Sequence, residues 1–176
     1  MNLLDKVSST DELIDLSISI LQEAKNNGFN GFGGMCAQAT VIINELLFDG
    51  KQINFASFNK SLEKKNQYIG HVACLVELNA DEYVIFDADA KVKSIEEIQS
   101  WAMLDDLDPD YIDLFKKHKI KTSERNFENT VELELTKEFL MENFNFSSYE
   151  EQKKILYDAI HKVLNENKSK SKIKMS

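Results

Sequence analysis

Cys36, His71 and Asp87 are the residues whose types and spacing could do chemistry together. Cys36 follows a glycine-rich loop, Gly31-Phe32-Gly33-Gly34-Met35, and precedes an apolar run (Val41, Ile42, Ile43, Leu46, Leu47) that predicts a helix. A thiol at a helix N-terminus sits beside unpaired backbone N–H groups and the positive end of the helix dipole, which favour its nucleophilic form. Thiol acyl transfer needs three further parts: an imidazole to take and return the proton, a polar group to orient that imidazole, and N–H donors for the oxyanion. His71 opens the most apolar stretch of the chain, and Asp87 closes the next one, sixteen residues on. His71 is the candidate base and Asp87 the candidate orienter; a different turn register would put Asp89 opposite His71 instead. The backbone N–H of Cys36 is one candidate oxyanion donor. Asn30, six residues earlier, could add a side-chain donor or merely shape the loop. Gly33, Gly34 and Met35 border the thiol where substrate backbone would approach, or form a turn.

These residues need elements to hold them. His71-Val72-Ala73-Cys74-Leu75-Val76-Glu77-Leu78 and Tyr83-Val84-Ile85-Phe86-Asp87 predict two strands joined by a short polar turn, a hairpin central in a covered sheet. Ile53 to Phe58 predicts another strand, and the strict alternation of Thr130 to Thr136 a half-exposed one. Ser9 and Glu12 stand at capping-box spacing before a helix that Asn26-Asn27-Gly28 ends. Ser94 and Glu97 open a helix to about Leu104, Asp108-Pro109 precedes a short one over Tyr111 to Phe115, and Lys137 to Phe144 allows one or two helical turns. Ser147 and Glu150 cap a last amphipathic helix with Ile155, Leu156, Ala159, Ile160, Val163 and Leu164 inward. Asn59 to Gln67 is polar and predicts a surface loop. The expected fold is α+β, a mainly antiparallel sheet of about four strands packed on the Cys36 helix with flanking helices. Residues 1–166 form one expected domain; 167–176 form an expected disordered, lysine-rich tail.

A cysteine at a helix start, a strand opening on histidine and a strand closing on aspartate resemble the transglutaminase-like branch of the papain-like cysteine hydrolases. The resemblance covers about residues 28 to 90 and is similar in outline to compact bacterial glutamine deamidases and leader-peptide peptidases. It implies a papain/transglutaminase-like fold with Cys36 as nucleophile, His71 as base and Asp87 as orienter. Where that family often carries an aromatic residue after the cysteine or histidine, and proline after the aspartate, this chain has Ala37, Val72 and Ala88. The reaction it implies is attack on an amide carbonyl through a thioester: glutamine side-chain deamidation first, with proteolysis and transglutamination using the same three residues. The alternative of another class is a non-catalytic binding or inhibitory protein on this scaffold.

Composition narrows the partners. A net charge of −9 disfavours a nucleic-acid binder, since phosphate contact needs a basic surface. Lys168, Lys170, Lys172 and Lys174 crowd the last nine residues, so the body is more acidic still. An acidic body suits a protein or peptide substrate with a basic surface. No apolar run approaches the ~18 residues of a membrane span, and Met1 to Val7 lacks a secretory leader pattern. The expected location is cytoplasmic; export as an effector by a signal-less route would leave no mark in the sequence. Cys36 and Cys74, with His71, His118 and His161, show no zinc-ligand spacing, and no cofactor or metal is expected. Cys74, mid-strand, reads as core. His118 reads as a solvated helix end, His161 as surface or packing, and Trp101 as core.

Overall fold

The computed structural model describes residues 1–31, 34–59, 65–67, 71–79, 82–93, 106–107, 121–122 and 130–175. The chain is α+β. After a short 3₁₀ turn over Leu3–Lys6, helix α1 spans Thr10–Asn26 and α2 spans Cys36–Phe48. Strands follow at Ile53–Asn59 (β1), Lys65–Gln67 (β2), Ala73–Glu77 (β3), Tyr83–Asp87 (β4), Lys91–Lys93 (β5), Asp106–Leu107 (β6), Lys121–Thr122 (β7) and Thr130–Glu134 (β8). Helices α3 (Lys137–Asn143) and α4 (Tyr149–Met175) complete the described elements.

Six strands form one antiparallel sheet in the order β5-β4-β3-β1-β8-β7. Its middle four are the four strands the sequence predicts. The pairing Cys74↔Phe86 and Leu75↔Ile85 joins β3 to β4 as the expected hairpin. One sheet face, carrying Cys74, Val76, Val84 and Phe86, packs on Leu13, Ile20 and Leu21 of α1, Ile42, Ile43 and Phe48 of α2, and Leu156 and Ile160 of α4. Phe55, Ala73, Leu75 and Ile85 cluster on the other face, also fully buried. Period-two alternation that is apolar at every step yields a strand buried on both sides.

Helix α2 is the centre of this packing. Every residue from Cys36 to Asn44 is buried, on all sides of the helix. Its far end is pinned by a network of amides. Asn44 Nδ2 donates to the Gln52 carbonyl (2.8 Å) and to Asn54 Oδ1 (3.2 Å), and Asn54 Nδ2 donates to the Leu135 carbonyl (3.1 Å). These bonds satisfy buried polar groups that would otherwise oppose folding, and they fix α2 against β1 and the end of β8. A second anchor lies on Glu45, whose carboxylate takes the Tyr149 hydroxyl and the Lys137 and Lys153 ammonium groups, joining α2 to α3 and α4.

Several expectations need correction. Lys65–Gln67 is a strand, not part of a loop, because it finds a parallel partner in Asp106–Leu107 that composition does not reveal. The tail predicted as disordered from Asn167 continues α4 to Met175. That segment contains no glycine or proline, and its lysines are good helix formers propagating from a helix already nucleated by packing. In the capping box of α1, Ser9 Oγ accepts the Glu12 N–H as expected, but the Glu12 carboxylate reaches Ser8 rather than Ser9. The helices expected over 94–104 and 111–115 lie outside the described residues, as do Gly33, Trp101 and His118. No helix among the described residues is long and apolar enough to cross a membrane.

Phe86 is fully buried and stacks on Phe48 with ring centroids 6.3 Å apart. Phe86→Ala should cost about 3–5 kcal/mol in urea unfolding; a loss below about 1 kcal/mol would mean that this sheet–helix contact is not part of the core.

Candidate active site

Each of the three predicted residues stands at the end of an element. Cys36 is the first residue of α2, His71 lies two residues ahead of β3, and Asp87 is the last residue of β4. Continuing the register one step past Cys74↔Phe86 sets Ala73 across from Asp87. His71, two residues further back, then stands on the same side as Asp87, one diagonal away, within reach of a longer side chain. His71 Nε2 meets Asp87 Oδ2 at 2.5 Å. The same register would place Asp89 opposite His71, but the chain leaves the strand first. Ala90 N–H closes a turn onto the Asp87 carbonyl (3.1 Å), with Ala90 at φ +65°. Asp89 is thereby carried into the turn, where its Oδ1 accepts the Lys91 N–H. Of the two aspartates the sequence leaves open, Asp87 holds the histidine.

Cys36 joins this pair. His71 hydrogen-bonds both the Asp87 carboxylate and the Cys36 thiol. All three residues are more than nine-tenths buried. Burial alone would lower the His71 pKa; the bonds to Asp87 and Cys36, and their charges, outweigh it and push the imidazole up to about 9. For Asp87, burial acts to raise the pKa. The bond and charge of His71, the Lys93 ammonium and the Ala88 N–H reverse this and hold the carboxyl below its usual range. Ala88 N–H donates to Asp87 Oδ1 at 2.7 Å, and Lys93 Nζ lies 3.2 Å from Oδ2. Cys74 is fully buried on the helix-facing side of β3, and burial pushes its thiol up, the reverse of activation.

Residues that sequence reasoning passes over set this geometry. Thr40, one turn after Cys36 on α2, donates from Oγ1 to the Val72 carbonyl at 2.9 Å, both buried. That bond ties the helix bearing the thiol to the residue next to the histidine. Gln152 of α4 clamps the loop ahead of the thiol. Its Nε2 donates to the Gly28 carbonyl (3.1 Å) and its Oε1 accepts the Asn30 N–H (2.8 Å). Gln38 Nε2 donates to Ser148 Oγ (3.0 Å), fixing the start of α2 to the start of α4. Gly31 lets the loop close on the turn after Asp87, since a Cβ there would meet Ala88 Cβ at 2.4 Å. Glycine at 31 and alanine at 88 are the only visible trace of this contact in the sequence. A buried threonine or glutamine leaves none.

The predicted oxyanion and substrate residues are placed less uniformly. Asn30 is exposed and is held through its backbone by Gln152. Gly34 is exposed at φ +85° with open space where a side chain would stand. Met35 is the N-cap of α2, and its carbonyl accepts the Ala39 N–H (3.0 Å); its side chain makes no cap bond. His161 is exposed and lies against the Tyr157 ring, far along α4. Among the described residues no cluster of histidine, cysteine, aspartate and glutamate could hold a metal ion. No protein-family model, curated protein or solved structure matches the chain.

Two outcomes follow for the fold of the site. Folded His71 keeps its proton to about pH 9, whereas an unfolded histidine loses it near 6.5. Its contribution to stability is therefore complete below about pH 6.5 and lost as pH rises through 9. Urea unfolding across this window should show the decline in wild type and a flatter profile in His71→Gln; equal slopes would refute the charged His71–Asp87 pair. Gly31→Ala should cost about 1–3 kcal/mol by overpacking against Ala88, and a wild-type midpoint in urea would show that the loop does not make this approach.

Proposed function

We propose that the protein is a thiol-dependent amide hydrolase with a Cys36-His71-Asp87 triad, and that its reaction is deamidation of glutamine side chains on a protein or peptide. The observation that carries this reading is His71 bridging a thiol at a helix N-terminus and a buried carboxylate. Such a bridge supplies a nucleophile, a proton carrier and an orienter in one chain of contacts.

In this mechanism Asp87 engages Nε2, so the ring meets the thiol through Nδ1. With the proton resting on His71 and the negative charge on Sγ, Sγ attacks the carboxamide carbon. The oxyanion forms beside the first turn of α2, where the Cys36 N–H and the helix dipole stabilise negative charge. His71 returns the proton to the leaving nitrogen, ammonia departs, and a thioester remains. Water, deprotonated by His71, then attacks the thioester; the carboxylate product leaves and the thiol is restored. Asp87 keeps the ring in one tautomer and stabilises the imidazolium without itself taking the proton. The raised His71 pKa supports a protonated acid at neutral pH, so activity should fall as pH rises through about 9.

The papain/transglutaminase-like resemblance of residues 28–90 supports the same roles. Proteolysis and transglutamination use the same atoms and differ only in which amine leaves and which nucleophile resolves the thioester. The acidic composition suits a substrate flanked by basic residues.

A glutamine peptide flanked by lysines, incubated with the protein, should release ammonia and gain about one mass unit. Cys36→Ala should abolish this, and Asp87→Asn should lower kcat/KM roughly a hundredfold or more. Two fragments would reassign the protein as a protease and a cross-link as a transglutaminase. Equal ammonia release by wild type and Cys36→Ala would overturn the thiol mechanism, and an unchanged peptide mass would overturn the deamidase assignment.

A further inference from the structure

Lys93 is a buried lysine at the last position of β5, its side chain 5% exposed. A lysine is almost never fully buried unless paired, because desolvating an ammonium group is costly. Its register partner is Ile85, so it stands on the same side of the sheet as Asp87, one diagonal away. Its Nζ lies 3.2 Å from Asp87 Oδ2 and 2.9 Å from Asp89 Oδ2. The Asp87 oxygen it approaches is the one that takes His71 Nε2. One carboxylate oxygen is thus shared by an imidazole and an ammonium group, and the ammonium group is shared by two carboxylates.

We propose that Lys93 is a positioning residue of the site: its ammonium group fixes the Asp87 carboxylate against His71 and, balanced by Asp89, sets the charge against which Cys36 and His71 exchange a proton. The inference rests on the reading of Cys36, His71 and Asp87 as a hydrolase triad. Among the described residues the titratable groups of the cluster are Cys36 on α2, His71 before β3, Asp87 ending β4, Asp89 in the turn and Lys93 on β5. Helix α1 packs on the opposite face of the sheet, that of Val92 and Phe86. With His71 protonated, the four groups His71, Lys93, Asp87 and Asp89 sum to zero. An extra negative charge on Sγ then faces, among these described groups, a neutral set. Without Lys93 it would face a net negative one, and the two carboxylates would repel each other.

The sign of each perturbation follows. Removing the ammonium group disfavours the thiolate and holds the proton on His71 more tightly, so both limbs of the pH–rate profile move up. Removing the Asp89 charge does the opposite. Asparagine at 89 can still accept the Lys91 N–H that Asp89 Oδ1 now takes, so Asp89→Asn alters the charge and keeps the turn. Lys93→Arg keeps the charge and should stay near wild type.

The experiment uses the full chain and iodoacetamide, with the alkylated position located by peptide mass mapping across pH 4 to 10. Wild-type Cys36 should be alkylated faster than a free thiol at neutral pH. Lys93→Met should move the pH profile of alkylation up, and Asp89→Asn down, each by roughly half a pH unit or more. Ammonia release by Lys93→Met at pH 7 should fall about tenfold and recover in Lys93→Arg. If Lys93→Met does not fold, Asp89→Asn and the Lys93→Met/Asp89→Asn double variant carry the test, the double variant lying closer to wild type than the predicted Lys93→Met shift. An unmoved profile in folded Lys93→Met, or shifts of the same sign in Lys93→Met and Asp89→Asn, would overturn the role of Lys93 while leaving the triad. Wild-type Cys36 reacting as an ordinary thiol would overturn the triad and this inference together.

Discussion

An imidazole and a carboxylate lie face to face at the end of the sheet, and neither has more than a tenth of its surface in water. Taking charged groups out of water is unfavourable unless geometry and additional hydrogen bonds restore what the solvent gave. The surroundings of Asp87 meet that demand from three directions: His71, the Ala88 N–H and Lys93. Each comes from a different piece of chain, so the pair constrains the entry to β3, the β4–β5 turn and β5 at once. A sheet with fewer strands beside β4 would expose the carboxylate, and its bond to His71 would weaken in the higher dielectric.

The thiol reaches this pair because α2 is buried along its whole first half. A helix packed on all sides has no freedom to slide. Thr40 sets its height against the Val72 carbonyl, and the Asn44–Gln52–Asn54 amides set its far end. Precision at the site is thus inherited from a rigid core element rather than from the loop preceding it. Ahead of it, Gly34 leaves open space, and Met35 at the helix start makes no side-chain cap bond.

The sequence is most legible where local pattern and tertiary role agree. The β3–β4 hairpin follows from apolar strands flanking a polar turn, and it brings His71 to the same sheet end as Asp87 and Asp89; the turn at Ala90 decides between the two. Cys36 follows from glycines leading into an apolar helix. Residues whose role depends on distant partners are invisible at this level. Lys93 sits in Lys91-Val92-Lys93, where nothing local signals burial, and its burial depends on neighbours that sequence periodicity cannot supply. The β2–β6 pair joins two short polar segments about forty residues apart, and no local preference signals it. Helix α4 outlasts the prediction of a disordered tail because helix propagation needs only a nucleus, which the packed residues up to Val163 provide.

The clamp of Gln152 on Gly28 and Asn30 spans more than 120 residues of chain. These two bonds therefore form only after residue 152 has been synthesised. A chain emerging from the ribosome carries Cys36 long before it carries the residue that sets the loop. Cys36 is present early and the loop before it is organised late, so the geometry of this cluster is coupled to the formation of α4.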